Sequence, residues 1–270
     1  WTIEVKFGST NPVWIKICPC LSTVKGVIEP EEIENPGITL KDTLEFVNEL
    51  ASKDIDYLHV SLGNFKATSS RDKTDKELIV KKFENVIISV DTFRSEIAEK
   101  SLNEGASIIN DISGGDLDKN IYQISYKYKA PYIMMHMNGV PSNMQNNPKY
   151  ENINHDIIKD FTSKIDSAEK KGVCDIIIDP GFGFGKTIQH NYQILNNLKL
   201  YTVLKKPILV GISRKSMIYK LLKTDPSKAL NGTTSLNTIA LINGANILRV
   251  HDVKEAKEVI KLCSFLKENV

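Results

Sequence analysis

Apolar runs of this chain end repeatedly in polar groups able to grip or activate a small molecule. They are Val90-Asp91-Thr92-Phe93, Asn110-Asp111, Met134-Met135-His136-Met137, Asp179-Pro180-Gly181-Phe182-Gly183-Phe184-Gly185-Lys186, Ser213-Arg214-Lys215-Ser216 and Arg249-Val250-His251-Asp252. Carboxylates and amides at strand ends also cap helices or satisfy loop N–H groups, so each alone has a structural explanation. Six in succession would converge on one mouth if the runs are parallel strands, and capping does not demand that. Asp91, Asn110 and Asp179 offer acceptors and donors suited to a flat heterocycle with an amidine-like edge, whose N–H groups a carboxylate takes pairwise. Methionine and phenylalanine beside them could sandwich its rings. Lys215, Arg249 and His251 form a small cationic cluster fit for a phosphate or pyrophosphate. The Gly-Phe-Gly-Phe-Gly loop lacks the GxxxxGK[ST] spacing of a P-loop and could equally be a tight strand-to-helix turn.

To bring these groups together the chain must repeat one unit. Short β-branched runs each precede an amphipathic stretch long enough for a helix, the pattern of βα repeats. Strands are expected near Val13–Cys18, Asp56–Ser61, Val86–Asp91, Ser107–Asp111, Tyr132–His136, Asp175–Asp179, Ile208–Gly211 and Ile247–Arg249. Helices are expected near Leu40–Lys53, Asp75–Lys82, Ser95–Asn103, Ile121–Tyr128, Ile153–Lys171, Ile188–Leu198, Asn231–Asn243 and Val253–Lys267. Interior runs such as Ile-Ile-Ile, apolar without alternation, fit parallel strands covered by helices. Eight repeats, with no glycine-rich fingerprint after the first strand, favour an α/β fold of the (β/α)8 TIM barrel type over an open doubly wound sheet. The 270 residues then form a single domain, 1–270, with its site at the carboxyl ends of the strands.

Composition narrows the function classes. Lysine and arginine number 35 against 33 acidic residues, a net charge of +2, which gives no reason to expect nucleic acid or an anionic membrane. Cys18-Pro-Cys20 is one residue too short for a CxxC redox or zinc half-site, and Cys174 and Cys263 supply no second pair. No run approaches the length of a membrane span, and the N-terminus lacks a signal-peptide pattern, so a cytoplasmic enzyme is expected.

From about Glu84 onward the chain resembles dihydropteroate synthases. The matching stretches are ISVDTFRSEIAEK, ASIINDISGG, PYIMMHMNGVPSNMQ, DIIIDPGFGFGKT, LVGISRKSMI and ALNGTTSLNTIALINGANILRVHDV, in order and at barrel spacing. The resemblance implies a sulfonamide-target transferase of folate biosynthesis that condenses 6-hydroxymethyl-7,8-dihydropterin pyrophosphate with p-aminobenzoate. It places Asp91, Asn110 and Asp179 on the pterin edge, with Met135, Gly183 and Phe184 packed around the ring. It takes Lys215 to the pterin carbonyl region and the p-aminobenzoate channel, with Ser216 nearby, and Arg249 and His251 to the departing pyrophosphate. Lys215, Arg249 and His251 are the expected catalytic groups. The resemblance further implies Mg²⁺ as cofactor and a homodimer through the last helices.

Residues 1–83 depart from that pattern. The family's first strand runs into an Asn-Val-Thr-Pro-Asp-Ser-Phe loop and its second into Asp-Ile-Gly-Gly-Glu-Ser-Thr-Arg-Pro. Here the positions read Cys18-Pro-Cys20-Leu-Ser-Thr and His59-Val-Ser-Leu-Gly-Asn-Phe. The asparagine that helps hold Mg²⁺ in that family is absent, so no metal ligand is assigned. Ile28–Phe65 instead resembles a piece of the old yellow enzyme family of flavin oxidoreductases, which implies a hybrid spliced around Lys82–Val86. Lys16 and Cys18 would then face a flavin (FMN), although that family's other cofactor strands are missing. Three readings follow: a synthase with remodelled first loops, a pterin-binding barrel without turnover, and a flavin oxidoreductase.

Overall fold

The computed structural model of the chain describes residues 2–6, 13–15, 57–61, 87–139 and 148–269. Its strands are β1 (Thr2–Lys6), β2 (Val13–Ile15), β3 (Tyr57–Ser61), β4 (Ile87–Asp91), β5 (Ile108–Asp111), β6 (Tyr132–Met135), β7 (Ile176–Asp179), β8 (Leu209–Val210) and β9 (Ile247–Val250). From β3 to β7 they pair side by side in chain order, all parallel. A parallel bridge from Ile178 to Ile208 carries the succession to β8, which pairs in parallel with β9. Strand β9 in turn pairs in parallel with β2, Val13 lying opposite Leu248. A last strand beside the first is the arrangement of a (β/α)8 barrel and not of an open doubly wound sheet, although among the described residues no ladder joins β2 to β3. At the seam, β1 lies antiparallel on β3, Thr2 opposite Ser61, and packs against β2 as well.

Each of the eight expected strands has a counterpart from β2 to β9. Strand β1 is an addition to them, although Thr2-Ile3-Glu4-Val5-Lys6 alternates polar and apolar residues as a strand with one covered face does. The stretch Lys16–Cys18 and the expected helices Leu40–Lys53 and Asp75–Lys82 lie outside the described residues.

Among the described residues the helices are α1 (Ser95–Asn103), α2 (Ile121–Tyr128), α3 (Ile153–Lys170), α4 (Ile188–Asn196), α5 (Ser216–Tyr219), α6 (Leu230–Ile242) and α7 (Val253–Glu268). All but the single turn α5 fall where the apolar spacing places them. Helix α3 shows why: Ile153, Ile157, Phe161, Lys164, Ile165 and Ala168 recur at three- and four-residue steps and form its buried face. The Asn152 side chain starts this helix by accepting the His155 N–H at 3.2 Å. Lys164 is buried on that face because its ammonium meets Asp116 at 2.7 Å and Asp160 at 2.9 Å. Thr187 and His190 start α4 with a reciprocal capping box.

Side chains divide between two layers by strand alternation. Ile109, Tyr132, Met134, Ile176, Ile178, Val210 and Leu248 point outward into one large cluster with Ile157, Phe161, Ile194, Ala240 and Val259 of the helices. Inside the ring, Ile133, Leu209 and Ile247 pack together with Ile108 and Ile177. Full burial of such a side chain stabilises by roughly 1.5–3 kcal/mol. The inner apolar layer therefore forms a firm floor beneath whatever sits at the mouth.

Candidate functional site

Alternation determines which residues line that mouth. Two positions beyond the inner Ile108, Ile133, Ile177 and Ile247 come Asn110, Met135, Asp179 and Arg249, so all four side chains lie on the inner face. Asp91 stands in register with Asn110, and Met135 with Asp179. Asn110, Met135, Asp179 and Arg249 are each buried. The Asn110 Nδ2 donates to Asp91 Oδ1 at 3.1 Å, which orients the amide, while its Oδ1 is buried with no hydrogen-bond partner. A buried acceptor left in this state is suited to a ligand N–H. Asp179 Oδ1 accepts the Gly181 N–H at 2.8 Å, so the carboxylate is aimed by the turn that follows its own strand.

The neighbouring Asp111 does not join them. One residue further along a pleated strand it faces the helix layer. There it accepts from the Ser113 N–H at 2.8 Å, the Ser113 hydroxyl at 2.7 Å, the Gly115 N–H at 2.8 Å and the Tyr132 hydroxyl at 2.6 Å. Burial pushes its carboxyl up, against the pull of these donors. The strand-end pair Asn110-Asp111 is thus one site residue and one structural hub.

The glycine loop after β7 holds a conformation that only glycine supplies. Gly181, Gly183 and Gly185 have φ of +72°, +81° and +61°. A Cβ on Gly181 would lie 2.0 Å from the His136 carbonyl oxygen, and one on Gly185 would lie 2.5 Å from that of Asn138. Gly183 differs, since its nearest neighbour would be the Lys215 side chain at 3.4 Å. The Lys215 ammonium donates to the Phe182 carbonyl and lies 4.9 Å from the Phe184 ring centroid. Gly183 and Phe184, expected against a ligand ring, therefore also form the bed on which Lys215 rests. Ser216 follows at the first position of α5, partly buried.

Lys215 and His251 are held from behind by a pair that sequence reasoning does not find. Arg214 makes a forked contact to Asp252, Nε to Oδ2 at 2.9 Å and Nη2 to Oδ1 at 2.7 Å, and its Nη1 donates to the Pro226 carbonyl at 2.9 Å. Arg214 precedes Lys215 and Asp252 follows His251, so this one contact ties the β8 and β9 loops together. The His251 N–H donates to the Ser213 hydroxyl at 3.1 Å, a second tie between the same loops. Arg249 lies against the residue that follows β8: a Cβ on Gly211 would stand 3.4 Å from the Arg249 Nε, in ordinary contact.

Lys186 and His136 are likewise a pair that the sequence does not announce. Lys186 is buried behind the glycine loop, with Nζ 2.9 Å from the Phe184 carbonyl, 3.2 Å from the His136 carbonyl and 3.0 Å from His136 Nδ1. Burial brings its ammonium down to about 7, opposed by Asp179 and Asp160. Burial and the Lys186 charge hold His136 well below the usual imidazole range, so its ring is neutral and can accept. Among the described residues no three or more His, Cys, Asp and Glu side chains are grouped so as to hold a metal ion. No helix among them is long and apolar enough to cross a membrane.

Comparison with known proteins adds relatives to this geometry. Residues 77–251 match the family described as pterin binding enzyme. Over 188 residues the chain is 40% identical to the dihydropteroate synthase of Escherichia coli (strain K12), covering 69% of this chain and 66% of that relative, just under two thirds of its length. Among solved structures, the Yersinia pestis dihydropteroate synthase with sulfonamide drug complex superposes with a TM-score of 0.77 at 32% identity, over 86% of this chain and 87% of that one. The Thermus thermophilus dihydropteroate synthase in complex with 4-aminobenzoate gives 0.74 at 28% identity, over 83% and 89%. The old yellow enzyme part of the sequence reading, and the hybrid drawn from it, find no support in these relatives. Most of that segment, with Lys16 and Cys18, lies outside the described residues.

Proposed function

The chain belongs to the pterin-binding enzyme family, and on that premise we propose that it condenses 6-hydroxymethyl-7,8-dihydropterin pyrophosphate with p-aminobenzoate, releasing dihydropteroate and pyrophosphate. The observation that carries this reading is the set of polar side chains on the inner face at the strand ends: Asp91 bonded to Asn110, Asp179 aimed by Gly181, and Arg249 on the same face. Asp91, Asn110 and Asp179 would take the donor and acceptor edge of the pterin, over Met135. Phe184 and Gly183 would cover the ring, with Lys215 on the side where p-aminobenzoate enters and Ser216 close by. Arg249 and His251 would bind the pyrophosphate and stabilise the charge it gains on leaving. The arylamine then attacks the electron-poor pterin methylene carbon. Fixed charges aimed at a leaving anion supply most of the acceleration in such a step.

Mg²⁺ enters the proposal only as a companion of the pyrophosphate, since this ion is often bound through substrate phosphates with one or two protein oxygens. Among the described residues no three or more His, Cys, Asp and Glu side chains are grouped around an ion position, and no step above runs through one. A homodimer is proposed through α6 and α7, whose exposed faces carry Ile239, Ile242, Leu262, Phe265 and Leu266. A soluble, cytoplasmic setting and sulfonamide competition belong to the same proposal.

The test is product formation. Purified protein with the pterin pyrophosphate, p-aminobenzoate and Mg²⁺ should yield dihydropteroate, and a sulfonamide should compete with p-aminobenzoate. Cys18-Pro-Cys20, where the family carries Asn-Val-Thr-Pro-Asp, favours one alternative, a barrel that binds pterin without turnover. Pterin binding with no product above a blank would select that alternative, and neither binding nor product would remove both.

A further inference from the structure

Lys186 has no part in the reading above, yet it is among the most enclosed cations of the described residues. Its surroundings define its state. Three polar partners stand around Nζ: the Phe184 and His136 carbonyls, which accept from its N–H groups, and His136 Nδ1. Two of these belong to backbone that must be held in place for the site to exist. The His136 carbonyl is the group that a Cβ on Gly181 would strike, so it sets how closely the loop approaches β6. The Phe184 carbonyl belongs to the residue whose ring lies under the Lys215 ammonium. Between them, the Phe182 carbonyl accepts from Lys215 itself. Lys186 therefore staples the loop from behind while Lys215 rests on its front.

We propose that Lys186 is a positioning residue for the reaction, its buried amino group fixing the Gly181–Gly185 loop against β6 so that Lys215 is held where the substrates meet. It touches no substrate and acts through Lys215. The inference rests on the synthase reading, and its test separates the two.

The test is a double-substitution cycle with Lys186→Met, Lys215→Ala and the pair, measured as kcat/KM with each substrate varied in turn. In the wild-type background Lys186→Met lowers kcat/KM by about tenfold or more, chiefly through KM. In the Lys215→Ala background the same change has an effect under about twofold, because the residue it positions is gone. Equal effects in both backgrounds would reduce Lys186 to a structural role and overturn the proposal while leaving the synthase reading intact. An inactive wild type that also fails to bind a pterin analogue would remove the synthase reading itself. If Lys186→Met does not fold, Lys186→Arg takes its place in the cycle. A guanidinium keeps the cation but displaces the two carbonyls, and its effect must again vanish in the Lys215→Ala background.

Discussion

Gly181→Ala strikes the loop where its fit is tightest. The φ of +72° carries a penalty of about 1–2 kcal/mol for any residue with a Cβ. The new methyl group would also lie 2.0 Å from the His136 carbonyl oxygen, a backbone atom that cannot rotate away. Relief to van der Waals contact requires the loop and the end of β6 to part by more than an ångström. That movement breaks the 2.8 Å bond from the Gly181 N–H to Asp179, a charge-assisted contact worth about 1.5–3 kcal/mol. Together the loss is on the order of 3–5 kcal/mol, against a total stability of about 5–15. For a chain of this size that is a fall in Tm of roughly 6–20 °C. Two glycines calibrate it. Gly183→Ala meets only the flexible Lys215 side chain at 3.4 Å, and Gly244→Ala, at φ +105°, meets only Thr202 Cγ2 at 3.5 Å. Both should cost little beyond the φ penalty. Thermal melts and titrations with a pterin analogue on the three variants provide the assay. Gly181→Ala should be the least stable and the only one of the three to lose its aimed Asp179. Equal melts for all three, with unchanged pterin affinity, would refute the reasoning.

Two further outcomes follow from the same contacts. Arg214→Lys keeps the charge but not the fork to Asp252, so kcat/KM should fall with a stability loss of about 1–3 kcal/mol; unchanged kinetics would mean that the β8–β9 tie does not set Lys215 and His251. Lys186 gives a pH signature: its folded ammonium gives up its proton at about 7, whereas the unfolded chain holds it to about 10.4. Between those values the unfolded state binds more protons, so this group raises stability with pH by up to about 1.4 kcal/mol per unit. Urea unfolding should therefore show wild type gaining on Lys186→Met from about pH 7 to about pH 10, and a constant difference would contradict the depressed ammonium.

Much of this is legible in the residues. Runs such as Ile176–Asp179 are β-branched and end in a carboxylate, and parallel strands in a ring must send such ends to one mouth. Asp91, Asn110, Met135, Asp179 and Arg249 do share the inner face. What the sequence conceals depends on geometry that only the folded ring determines. Asn110 and Asp111 are adjacent and chemically similar, and only the phase of the pleat sends one inward and the other to Tyr132. Arg214 and Asp252 are 38 positions apart, and nothing local announces their fork. Lys186 follows a glycine loop that could have turned it toward the mouth, and the three positive-φ glycines turn it behind instead. Strand β1 is the opposite case, since the alternation in Thr2–Lys6 is plain in the residues yet too short to stand out beside the βα repeats.

The central claim is that Asp91, Asn110 and Asp179 together form a pterin-edge site at the carboxyl ends of the strands. Calorimetric titration of a pterin analogue into wild type, Asp179→Asn and Asp111→Asn tests it most directly. The expected result is binding to wild type, a loss of about 1.5–3 kcal/mol in Asp179→Asn where a charged acceptor is removed, and retained affinity in folded Asp111→Asn, whose side chain faces the helices. Equal affinity of wild type and Asp179→Asn, or no binding to wild type at all, would contradict it.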